Sequence, residues 1–110
     1  MQKNNNQPNR TLNMKLSNEE MAEAINLLGI LHEGGSIRYF AVAGGQAVHG
    51  KDGKPMPSEK CSITVFLDLR ENGMIEMTER NVMGYPYYAD NHRSDVYRMT
   101  DVGRAFLENK

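Results

Sequence analysis

The stretch DVYRMTDVGRAFLENK, from Asp95 to Lys110, changes its hydrophobic period within five residues. Val96-Tyr97-Arg98-Met99 reads as an edge strand with bulky side chains. Thr100 is a good N-cap, and Asp101 suits the positive end of a helix in its first turn. Val102, Ala105 and Phe106 follow at helical spacing, with Leu107 beside them. A strand therefore delivers a short amphipathic helix with no loop between the two. The helix returns onto a core that the rest of the chain must supply.

Upstream, Ser17-Asn18-Glu19-Glu20 fits a capping box, with Ser17 as N-cap and Glu20 at N3. Met21, Ala24, Ile25, Leu28 and Leu31 then form one helical stripe, widened by Ala22 and Leu27. Gly34-Gly35 ends that helix. Ile37 to Val42 is a short β-favouring run, Gly44-Gly45 a turn, and Ala47-Val48-His49 a return strand. Gly50 to Pro55 is a second, exposed turn. Neither glycine pair belongs to a phosphate-cradling pattern of the G-x-x-x-x-G-K-[ST] type, and hairpin turns explain both.

The segment SEKCSITVFLDLRENGMIEMTE reads two ways. Ile63, Val65, Leu67 and Leu69 alternate like a strand, with Glu71-Asn72-Gly73 as a hairpin turn. Ile63, Phe66, Leu67 and Arg70 equally share one helical face, with Ser58 as a cap after Pro57 and Asn72-Gly73 as a helix end. Met74 to Met77 is strand-like. Residues from Asn81 to Ser94 read as a loop.

With 110 residues the chain is one domain at most. Residues 1–13, MQKNNNQPNRTLN, are polar and almost without apolar anchors, and read as a disordered tail before a domain over 14–110. No apolar run has the length of a membrane span and the N-terminus carries no signal core, so a cytoplasmic protein without membrane contact is expected. The single cysteine, Cys61, excludes an internal disulfide and reads as an inert thiol, because no base lies near it in sequence. Two of the 13 basic residues, Lys3 and Arg10, lie in 1–13, which has no acids, so residues 14–110 carry a net charge of −3. Bulk charge therefore argues against strong nonspecific DNA binding, although a local basic stripe is compatible with it.

His32, His49 and His92 are far apart and have no cysteine set beside them, so no metal site is expected. No motif fixes a nucleophile or a base, so neither an enzyme nor a cofactor is expected. Glu19 and Glu20 are explained as first-turn helix charges. Tyr85, Tyr87 and Tyr88, followed by His92 and Arg93, stand out. Aromatics beside arginine are enriched in binding hot spots and stack on bases, and they also pack loops onto a body.

Two fragments resemble the C-terminal half of bacterial winged-helix domains. In FLDLRENGMIE, Leu69, Gly73 and Ile75 match the Leu-x-x-x-Gly-x-Ile step that ends a recognition helix. In YRMTDVGRAFL, Tyr97, Met99, Thr100 and Gly103 match the Tyr-x-(Leu/Met)-Thr-x-x-Gly start of the last helix. Over 14–103, the order MKLSNEE, LLGILHEGGSI, CSITVFLDLRENGMI and YRMTDVG is similar to the small YjhX-like proteins, the topoisomerase I inhibitor toxins.

The resemblance implies an α+β, winged-helix-like domain with three helices, a β-hairpin after helix one and a C-terminal β-wing. Residues 58–72 would be helical, Met74 to Met77 would pair with the last strand, and Val102, Ala105 and Phe106 would face helix one. The core would contain Ile25, Leu28, Leu31, Phe66, Leu67, Ile75 and Phe106. On this frame the expected function is a DNA-binding transcriptional regulator. The alternative is a small protein-binding inhibitor of a DNA-processing enzyme, of the toxin or phage type. Contact residues for either partner would be Lys60 and Arg70 on the third-helix segment, and Arg80, Tyr85, Tyr87, Tyr88, His92, Arg93 and Arg98 on the wing. Glu59, Asp68 and Glu71 offset the two helix cations, which is unusual for a helix that reads bases. A homodimer is left open.

Overall fold

The computed structural model describes residues 14–83 and 93–109. The tail expected over 1–13 lies outside these residues, as do Tyr85, Tyr87, Tyr88 and His92. The described chain is α+β, with three helices and one four-stranded antiparallel sheet. In chain order its elements are α1 (Asn18–His32), β1 (Ser36–Tyr39), β2 (Gln46–His49), α2 (Ile63–Glu71), β3 (Ile75–Met83), β4 (Arg93–Met99) and α3 (Asp101–Glu108). The sheet order is β2-β1-β4-β3.

The local signals account for the element ends. The Ser17 hydroxyl accepts from the Glu20 amide and the Glu20 carboxylate accepts from the Ser17 amide, closing the capping box. Helix α1 stops where Gly34 takes φ +105°, and the Gly35 amide donates back to the Ile30 carbonyl. Helix α2 ends by the same device: Gly73 takes φ +72°, and the Met74 amide donates to the Leu69 carbonyl.

At the β4–α3 junction, the Thr100 hydroxyl accepts from the Gly103 amide and donates to the Gly73 carbonyl at 2.5 Å. The Thr100 amide donates to the Met74 carbonyl. The strand passes into the helix without a loop because both ends of that step are tied to Gly73-Met74.

The core lies between α1, α2 and one face of the sheet. It contains Ala24, Leu27, Leu28, Leu31, Ile37, Val48, Val65, Phe66, Leu69, Met74, Ile75 and Tyr97. Phe66 is central: its ring stacks on Tyr39 at 5.4 Å and meets Tyr97 edge-on at 4.9 Å. Val102, Phe106 and Leu107 of α3 pack against this cluster from the rim.

Several expectations are corrected. Helix α2 spans Ile63–Glu71 rather than 58–72, and its cap is Ser62 rather than Ser58. Residues before it are held otherwise: the Met56 amide donates to Val48, the Glu59 amide to Met56, and Asn26 bonds the Glu59 carboxylate. The buried stripe of α2 is therefore Val65, Phe66 and Leu69, and Leu67 is exposed. On α1, Ile25 is half-buried and Ala22 exposed, while Leu27 is fully buried. On α3, Ala105 is exposed, and Leu107 packs where Ala105 was expected.

The β3–β4 hairpin is longer than its local pattern indicates, because Asn81–Met83 and Arg93–Ser94 are strand rather than loop. Its ladder shifts register between Met77 and Glu79 and again between Glu79 and Val82. Asn81 takes φ +59°; its amide donates to Asp95 Oδ1 and its carbonyl accepts from Arg93 Nη1. Long-range side-chain bonds of this kind leave no trace in a hydropathy pattern.

The sheet's other face is mixed, with charged and polar side chains around Ala47 and the fully buried Val96. Since Ile37, Val48 and Tyr97 face the core, Ser36, Arg38, Ala47, His49, Val96 and Arg98 face away. His49 is only 2% exposed there, and its Nδ1 has no hydrogen-bond partner among the described residues. Burial first, then the charge of Arg38, lowers the His49 pKa; the backbone bond at Ala47 and the charge of Asp52 oppose the shift.

The unfolded chain thus takes up a proton at this side chain at a higher pH than the folded chain. The stability tied to a neutral His49 is complete above the unfolded value of about 6.5 and falls as the pH drops through it towards the lower folded value. We expect urea midpoints to fall less steeply from about pH 7.5 to 5.5 in His49→Gln than in the parent chain.

Candidate partner-binding face

Helix α2 is aimed by α1. The Ser62 amide and hydroxyl both donate to Glu23 Oε2, at 2.6 and 3.0 Å. The same hydroxyl accepts from the Val65 amide at 3.5 Å. A carboxylate at the first turn of α2 suits the partial positive charge there. Replacing Glu23 by Ala should cost about 1–3 kcal/mol, read from urea unfolding, because two part-buried donors lose a charged acceptor. Glu23→Gln, which keeps an acceptor oxygen, should recover part of it.

Cys61 lies beside this clasp. Burial, with a smaller contribution from Glu23, pushes its thiol up to about 12, so it is protonated at neutral pH and a poor nucleophile.

Nine residues of α2 carry five apolar side chains, more than one buried stripe accommodates. Val65, Phe66 and Leu69 go inward. Ile63, at 45% exposure, and Leu67, at 36%, stand one turn apart on the outer side with Thr64, Arg70 and Glu71. Met77 and Met83 of β3 are also partly exposed. These apolar side chains are absent from the contact set drawn from cations and tyrosines. Their signal was nevertheless in the sequence, as the surplus of apolar residues on a short helix.

The cations read from sequence divide into two groups. Arg98 Nη1 donates to the carbonyls of Gly34 and Gly35, at 3.3 and 3.4 Å, and so secures the exit from α1. Arg93 braces the β3–β4 hairpin through the Asn81 carbonyl at 3.2 Å. Lys60, Arg70 and Arg80 are exposed. Lys60 precedes α2 rather than riding on it, and the Arg70 guanidinium lies 5.7 Å from the Phe66 ring centroid. Glu71, Glu76 and Glu79 are exposed on the same elements. The described residues therefore present a mixed-charge, partly apolar face rather than a basic stripe.

Among the described residues no group of three His, Cys, Asp or Glu side chains is placed to hold a metal ion, and no helix is long and apolar enough to cross a membrane. Comparison with family models, with curated proteins and with solved structures finds no match to this chain.

Proposed function

We propose that this chain is a winged-helix-like, non-catalytic module that binds a protein partner through the outer face of α2 and the neighbouring β3–β4 wing. Exposure of Ile63 and Leu67 on α2 carries the reading. Apolar side chains at i and i+4 give a protein partner area to bury and give a base edge nothing to hydrogen-bond. The bond from Arg93 to the Asn81 carbonyl of its own hairpin supports it further. The winged-helix part rests on topology: β4 lies between β1 and β3, α2 leads into β3, and the β1–β2 hairpin stands between α1 and α2. The β1–β2 hairpin after α1 and the β3–β4 wing are the parts that the YjhX-like resemblance implies, and with it a DNA-handling enzyme is the partner class.

A DNA-binding regulator is the second reading. It is favoured by the placement of a helix beside a wing and by the exposed Lys60, Arg70 and Arg80. The test pairs two assays. Plasmid relaxation by a bacterial type I topoisomerase should be inhibited by the parent chain and not by Ile63→Asp with Leu67→Asp. Both substitutions lie on exposed positions, and unchanged circular dichroism would verify the fold. Duplex binding at two salt concentrations is the second assay. Clear binding that Lys60→Ala with Arg70→Ala weakens, together with inert relaxation assays, would reverse the order of the two readings.

A further inference from the structure

We propose that the outer face of the sheet holds a site for one phosphate-type oxyanion, formed by Arg38 and Arg98 with Ser36 and His49. The register brings these residues together. Ile37 pairs with Tyr97 and Arg38 with Val96, so Ser36 and Arg38 of β1 face the side of β4 that carries Arg98. Ser36 pairs in turn with His49 of β2. Arg38 and Arg98 are near enough that, after burial, the charge of Arg98 is the main cause lowering the Arg38 pKa, with Glu79 opposing it. Arg38 is half-buried and Arg98 exposed, and two like charges held near one another are relieved by an anion between them.

Both guanidinium groups are already positioned. Arg38 Nε donates to the Ser36 hydroxyl at 3.4 Å, and Arg98 uses Nη1 for the Gly34 and Gly35 carbonyls. Further N–H groups on each remain to bind a ligand, since a guanidinium has five. The buried Nδ1 of His49, without a partner among the described residues, lies on this same face. The acids around the site are Glu76, the register partner of Arg98 on β3, Glu79, the register partner of Val96, and Asp52 in the turn after β2. Glu76 and Glu79 lie on the β3 side, so the β1–β2 side of the arginine pair is where an oxyanion enters. Fixed forks at two arginines match the several oxygens of a phosphate better than a single carboxylate.

The site would accept free phosphate, a mononucleotide, or a phosphate of a nucleic-acid backbone. The test is a nuclear magnetic resonance titration with inorganic phosphate at constant ionic strength, with chloride as reference. Arg38, Arg98 and Ser36 resonances and the His49 ring should move together and saturate. Arg38→Gln should weaken the effect about tenfold, and Arg104→Gln, on α3, should leave it unchanged. Arg98→Gln also removes a tie to the end of α1, so Arg38→Gln is the deciding variant. Titrations with a mononucleotide and with a short duplex then separate the sources: the one that moves the same resonances at lower concentration than inorganic phosphate is the natural donor. No saturable shift, an equal shift with chloride, or a shift that survives Arg38→Gln would overturn the site.

Discussion

Gly103→Ala should be strongly destabilised. Gly103 is buried at the first turn of α3, and a Cβ there would run into the Met74 carbonyl oxygen and lie 2.8 Å from Met99 Cγ. The oxygen cannot retreat, because it accepts from the Thr100 amide and so joins the end of α2 to the start of α3. Either that bond breaks or α3 moves off the core. The expected cost is at least about 3 kcal/mol, a large share of the roughly 5–15 kcal/mol available to a small domain. Gly44→Ala is the control. Gly44 has φ +85° and open space around it, so its substitution should cost only about 1 kcal/mol of backbone strain. Urea midpoints for the two variants should be well separated; similar values would mean that the α2–α3 junction can spread without penalty.

Phe66→Ala should cost about 3–5 kcal/mol. The ring is fully buried, and its loss opens a cavity beneath α2. Two aromatic contacts disappear with it, the stacked pair with Tyr39 and the edge-on pair with Tyr97. Each such pair contributes on the order of 1 kcal/mol beyond area burial. Phe66→Leu fills most of the space and should cost much less. Arg70→Ala removes only an exposed cation over the ring and should change stability by less than about 1 kcal/mol. Equal losses for Phe66→Leu and Phe66→Ala would place the stabilisation in the aromatic geometry rather than in volume.

Elements whose signals are local were legible in the sequence. The capping box at Ser17, the stop at Gly34-Gly35, the hairpin turn at Gly44-Gly45 and the cap at Thr100 each use residues within four positions of one another, and each is present. The 62–71 segment was ambiguous because Ile63, Val65, Leu67 and Leu69 alternate while Ile63, Phe66, Leu67 and Arg70 share a helical face; the stripe that is buried is Val65, Phe66 and Leu69. Its start was missed because Glu23, thirty-nine residues upstream, decides it. Sites fared worse for the same reason. A count of cations cannot tell that Arg98 bonds the end of α1, or that Arg38 shares a face with His49 through two strand pairings.

The position of β4 governs the order in which this protein can be assembled. Strand β1 forms a hairpin with β2 early, but its other edge is paired by Asp95–Tyr97, nearly sixty residues later. On a ribosome, which delivers roughly 5–20 residues per second, the first hairpin and α1 wait for seconds with an open strand edge and an uncovered apolar face. Closing that long span also raises the mean sequence separation of contacts, which slows folding relative to a helical bundle of equal size. A chain interrupted anywhere before β4 therefore ends with half a sheet, and the vulnerable species for this protein is the nascent one.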